Sequence, residues 1–124
     1  MNCQIKIKST GNDWENSHKG KGCLTQTENG FCVDYEYEGD TCHFAVEGNN
    51  AVQSRTGGIN LQIHFLLNQQ TQCAFSSSHG SGGFAVYTKK LVHTFQPQKA
   101  TVELVYLSGS DKERVRLWLE AIPE

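Results

Sequence analysis

Ile59-Asn60-Leu61-Gln62-Ile63-His64-Phe65-Leu66-Leu67, set between Gly57-Gly58 and Asn68-Gln69-Gln70, decides the fold of this chain. Ile59, Leu61, Ile63, Phe65 and Leu67 fall at every second position, which is the repeat of a strand with one face on a core and the other in water. The glycine pair before it and the Asn-Gln-Gln after it are turn signals, so the run is a strand between two tight reversals.

The same grammar runs outward in both directions. Cys3, Ile5 and Ile7 alternate with polar residues, as do Phe31, Val33, Tyr35 and Tyr37, and Val115, Leu117, Leu119 and Ala121. Turn signals separate them at Glu28-Asn29-Gly30, Gly39-Asp40, Gly48-Asn49-Asn50, Gly80-Ser81-Gly82, Gln96-Pro97-Gln98-Lys99 and Ser108-Gly109-Ser110-Asp111. The pattern predicts strands near 3–9, 19–27, 31–38, 41–47, 51–56, 59–67, 71–78, 83–95, 100–107 and 113–122. The run 83–95 is too long for one straight strand, and Lys89-Lys90 is the expected bulge. Asn12 to His18 has room for a single helical turn or a loop.

Connections this short cannot carry parallel crossovers, so neighbours in sequence pair antiparallel. An even number of uncovered strands leaves exposed edges unless the sheet closes on itself. The expectation is one all-β domain over 1–124: a closed antiparallel up-and-down barrel of about ten strands.

With 124 residues the chain can bury roughly two-thirds of its unfolded surface, so a core needs no staples. A net charge of −2 removes the electrostatic pull of a nucleic-acid or membrane binder, and no apolar run approaches ~20 residues. The first residues alternate and lack the apolar core of a secretory signal. Five cysteines (Cys3, Cys23, Cys32, Cys42, Cys73) without a C-x-x-C pair read as reduced thiols, so a cytoplasmic location is expected. Cys42 and Cys73 fall on apolar faces. Cys32, on an acidic face, is expected to be more accessible than these two.

Several features together resemble the YwiB-type small bacterial proteins, a lipocalin-like (calycin) β-barrel family with no assigned activity. They are Gly22 followed by the strand pair ending Tyr35-Glu36-Tyr37, Ser54-Arg55-Thr56-Gly57, and Leu61 to Phe65. Phe75-Ser76-Ser77-Ser78-His79-Gly80, Gly83 to Thr88, and Val102 to Tyr106 complete the set. The resemblance covers the chain from about Ile5 onward. The family tends to show Tyr-x-Glu where this chain has Tyr35-Glu36-Tyr37, which displaces the acid to Glu36 or Glu38. The resemblance implies a lipocalin-like fold and no particular activity.

Chemistry-bearing residues are few. The five histidines lack ligand spacing for a metal, and Ser76-Ser77-Ser78-His79 puts neighbours on opposite faces of a strand, so neither a metal nor a catalytic residue is expected. No cofactor is implied. Asp34, Glu36 and Glu38 share a face and read as a solvated stripe. Tyr35, Tyr37, Phe75 and Tyr106 point inward by parity and would line an open interior, whereas a filled barrel would use them as core. Arg55 could clamp a ligand anion, but Val52, Ser54 and Thr56 share the apolar-side parity, which leaves Arg55 on the solvated side.

The function expected is thus a non-enzymatic barrel binding a small, partly apolar or amphipathic molecule through Tyr35, Tyr37, Arg55, Phe75 and Tyr106. The alternative is an interaction or structural module with a filled barrel. If the first and last strands pair, outward Lys6 and Lys8 lie beside Arg114 and Arg116, with Trp118 among them. That surface would suit an acidic protein or a second copy of the chain.

Overall fold

The computed structural model describes residues 1–124, and nearly all of them are strand. The strands are β1 (Asn2–Thr10), β2 (Glu15–Gln26), β3 (Gly30–Tyr37), β4 (Asp40–Glu47), β5 (Asn50–Thr56), β6 (Ile59–Leu66), β7 (Gln70–Ser77), β8 (Gly80–Gln96), β9 (Lys99–Ser108) and β10 (Glu113–Pro123). Each pairs antiparallel with its neighbour in sequence, and β1 pairs with β10 to close the barrel. Closure removes the edges that ten uncovered strands would otherwise expose. The topology expected from the alternation and the turn chemistry is the one observed.

Register explains the interior. Ile5 stands opposite Ala121 and Ile7 opposite Leu119, so the apolar parities of β1 and β10 fall on one side. Phe44 opposite Val33, and Ile63 opposite Cys73, continue the same face around the wall. Phe31, Phe44, Phe65, Leu104 and Leu119 are fully buried and form the bulk of a continuous apolar core. The long β8 changes register between Thr88 and Lys90. One extra residue at Lys89 flips the parity: Val86 and Thr88 point inward before the bulge, and Leu91 after it.

One expectation needs correction. Asn12 to His18 is neither a helical turn nor mainly a loop. The chain turns at Gly11–Trp14, with the Gly11 N–H donating to the Trp14 carbonyl (3.0 Å), and Glu15 already begins β2. The strand expected near 19–27 therefore starts earlier, because Glu15 to His18 carry no apolar residue to mark an inward parity. The close approach explains Gly22: a Cβ there would stand 2.8 Å from the Asp34 carbonyl oxygen. Cys32 is more open than the buried Cys42 and Cys73, as expected, and Cys23 is the exposed thiol. Cys32 is half-buried and its pKa lies above the ordinary thiol value, through burial first and the Asp34 charge second. Cys42 and Cys73 are buried as expected, and burial pushes the Cys73 thiol up to about 11.

Candidate functional site

The turns β1–β2, β3–β4, β5–β6, β7–β8 and β9–β10 ring one end of the barrel, and the core does not fill that end. A cavity of about 160 Å³ opens there, walled by Ile7, His18, Tyr35, Tyr37, Arg55 and Leu61 among others. Below it the barrel is solid, closed by Phe44 and Phe65.

Arg55 faces this cavity, against the sequence expectation. The reason is the register: Arg55 stands opposite Cys42, Gln53 opposite Phe44 and Ala51 opposite Val46. Cross-strand partners share a face, so the inward parity of β5 is Ala51, Gln53 and Arg55. The apolar Val52 misled the pattern by sitting on the outer wall. The Arg55 side chain is only 16% exposed, and its Nε donates to Asp40 Oδ2 at 2.6 Å. One Nη lies 3.7 Å from Glu38, and the guanidinium carbon stands 5.1 Å from the Tyr37 ring centre.

Asp40 is the hub of this corner. Besides Arg55 it accepts the Gly58 N–H at 2.8 Å and the Ile59 N–H at 3.3 Å, pinning the β5–β6 turn to β4. These bonds account for the sequence Arg55-Thr56-Gly57-Gly58. Gly57 has φ +149°, and a Cβ there would run into the Asp40 carboxylate. The Arg55 bond first, then the Gly58 N–H, hold the Asp40 carboxyl below the ordinary carboxylate value. Burial works against the Arg55 charge, but the bond and charge of Asp40 outweigh it, so its pKa rises. Arg55 is thus largely neutralised within the fold.

The rest of the mouth is aromatic. Tyr35 is buried, and desolvation pushes its hydroxyl up to about 12. Edge-on to Tyr37, at 4.7 Å between ring centres, lies His18, whose ring is also 6.1 Å from Tyr35. His18 Nε2 is buried without a hydrogen-bond partner. His18 is the residue that the sequence reading missed. The signal was the alternation of Lys19 and Lys21 with His18, Gly20 and Gly22, which sets His18 on the inward face.

The five residues expected to line an open interior therefore separate. Tyr35, Tyr37 and Arg55 come together at the mouth. Phe75 stands on the rim, 41% exposed, with its ring 6.4 Å from Phe84. Tyr106 lies deep, its ring 5.0 Å from Phe65, and burial pushes its hydroxyl up to about 12.

On the outer wall Lys8 stands opposite Trp118, Lys6 opposite Glu120 and Thr10 opposite Arg116. Lys8 and Arg116 thus flank Trp118, which is half-buried rather than open, while Arg114 lies further along β10 opposite Leu107. Lys8 pairs with Glu15 at 2.9 Å and Glu120 with Lys99 at 3.4 Å, while Lys6, Arg114 and Arg116 have no ion pair. In the acidic stripe, Asp34 meets His43 at 2.6 Å and Glu36 stays exposed. No three His, Cys, Asp or Glu side chains converge as a metal-holding group, and no helix is long and apolar enough to cross a membrane.

No family model matches the chain, and none of the curated proteins does. Among solved structures it is similar to the ywiB protein from Bacillus subtilis, with a TM-score of 0.88 at 14% identity. The match covers 99% of this chain and 92% of that one. At that identity the likeness is one of fold. The resemblance read from the sequence thus holds in three dimensions, as a shared closed barrel of ten antiparallel strands in keeping with the calycin type.

Proposed function

We propose that this barrel is a non-enzymatic binder of a small, partly apolar molecule, held at the mouth between His18, Tyr37, Arg55 and Leu61. The observation that carries the reading is a cavity of mixed polarity above an otherwise solid core. Its volume, about 160 Å³, is below the 300–1,000 Å³ of drug-sized sites but close to the ~150 Å³ that accepts one benzene ring. A single-ring ligand is the matching size. Charge narrows it further: Asp40 and Glu38 already face Arg55, so the guanidinium offers leftover N–H donors rather than a free positive charge. A neutral ring carrying one acceptor fits better than a carboxylate.

Phenol, benzamide and benzoate, followed by melting temperature and amide chemical shifts, test this. Saturation at a hundred times Kd stabilises by about 2.7 kcal/mol. Benzamide should raise the melting temperature more than benzoate, and Leu61→Trp, which fills the cavity, should abolish the shift. No shift with any of the three compounds overturns the reading. The second reading is an interaction module using the outer wall of β1 and β10, favoured by the unpaired Lys6, Arg114 and Arg116 on the wall that carries Trp118.

A further inference from the structure

The ladders of β2 are unequal. It pairs with β1 from Glu15 to Cys23, but with β3 only from Gly22 to Gln26. Residues Glu15 to Lys21 are therefore paired on one side alone. Continuing the register from Gly22 opposite Tyr35 sets Tyr37, the last residue of β3, level with Gly20. From Lys19 back to Glu15 the strand projects past the β3–β4 hairpin. In an otherwise closed barrel this is a free strand edge, the template to which another extended chain adds.

The side chains beside that edge decide what can use it. Lys6 and Lys19 are direct cross-strand partners on the outer face, with Lys21 diagonal to them. Like charges opposed in this way destabilise a sheet, and none of the three forms an ion pair within the chain, although the register sets the exposed Glu36 of β3 level with Lys21. Glu15 is taken by Lys8 at 2.9 Å, and Glu120, the other neighbour of Lys6, by Lys99 at 3.4 Å. A second copy pairing edge to edge would set Lys19 and Lys21 against their own equivalents. Edge lysines of this kind block self-pairing. An extended segment with acidic side chains on its outer face has the opposite effect, because it supplies backbone partners to the edge and counter-charges to Lys6, Lys19 and Lys21.

We infer that the free edge of β2 receives an extended acidic segment of a partner protein as an added strand. This stands whether or not the mouth cavity holds a small ligand. The partner strand would run beside Glu15–Lys19, past the hairpin, its outward acids towards the lysines at that end and its inward side chains over His18 and Tyr37.

The test uses three labelled peptides of about eight residues, one strand's length. One alternates Glu and Thr, one alternates Lys and Thr, and one has proline in place of each threonine of the acidic peptide. The prolines keep the negative charge but remove half of the backbone donors. Fluorescence polarisation should show binding of the Glu-Thr peptide alone, weakening as salt rises from about 0.1 M to 1 M and the screening length falls from about 10 Å to 3 Å. K19E/K21E should weaken it at least ~tenfold, and these exposed changes should not lower the melting temperature, since the new carboxylate at position 19 would face Lys6. Amide exchange should slow at Glu15–Lys19. Failure of the Glu-Thr peptide to bind, equal binding of the proline peptide, or protection elsewhere on the barrel would each overturn the inference.

Discussion

The two ends of the barrel are built from the same alternating strands yet differ in what they put inside. At the end away from the mouth, the inward positions are Cys3, Leu24, Phe31, Val46 and Ala100, all essentially free of solvent. At the mouth the inward positions are Ile7, His18, Tyr37 and Arg55, which are half-buried and edged with hydrogen-bonding groups. One end stabilises the fold through apolar burial and the other leaves volume open, at the cost of holding a charged pair, Arg55 and Asp40, largely out of water. A barrel can therefore be solid and still offer a site, provided the two tasks are given to different levels of the interior.

The largest expected contrast between the levels is in stability. Phe65→Ala or Phe44→Ala removes a fully buried ring from the solid level and should cost about 3–5 kcal/mol. Tyr37→Ala at the open mouth should cost less than half as much, because its ring is already partly solvated. Equal midpoint shifts in a urea titration would mean that the mouth is as tightly packed as the core.

A smaller effect sharpens the comparison through pH. Asp40 has its carboxyl held below the ordinary value by Arg55, so the fold favours its ionised form. That contribution is complete above the unfolded carboxylate pKa, about 3.9, and is lost as pH falls through the depressed folded value. Asp40→Asn should lower the melting temperature at neutral pH, and its gap to the parent protein should narrow below about pH 4. A gap independent of pH would show that the polar corner acts by shape and not by charge.

The smallest effect concerns the outer wall. Cys23→Ser should cost under ~0.5 kcal/mol, as exposed positions do. The same change should remove the first thiol to react with a maleimide, while Cys3, Cys42 and Cys73 react only on unfolding. Rapid labelling of Cys42, which lines the mouth, would instead reveal that this end opens in solution.

The strand positions, turns, bulge and closure were legible because each is local. Alternation with a period of two marks a strand whatever it pairs with, and the bulge at Lys89 betrayed itself by a run too long to stay straight. Arg55 was misplaced because β5 carries one apolar residue, Val52, on its outer face, and only pairing with Cys42, Phe44 and Val46 reveals which parity is inside. His18 was missed because Glu15 to His18 hold no apolar residue that would extend the strand expected near 19–27 back to it, and only pairing with β1 shows that they are strand.

By itself the sequence determined the architecture: ten amphipathic strands with short reversals have few ways to bury one face other than a closed sheet. Which level of the interior is filled, that Arg55 is neutralised by Asp40 fifteen residues earlier, and that β2 outruns β3 and leaves an edge were decided by the tertiary structure alone. Each depends on register and relative strand length. Those are relations between segments, and no single segment carries them in its own pattern.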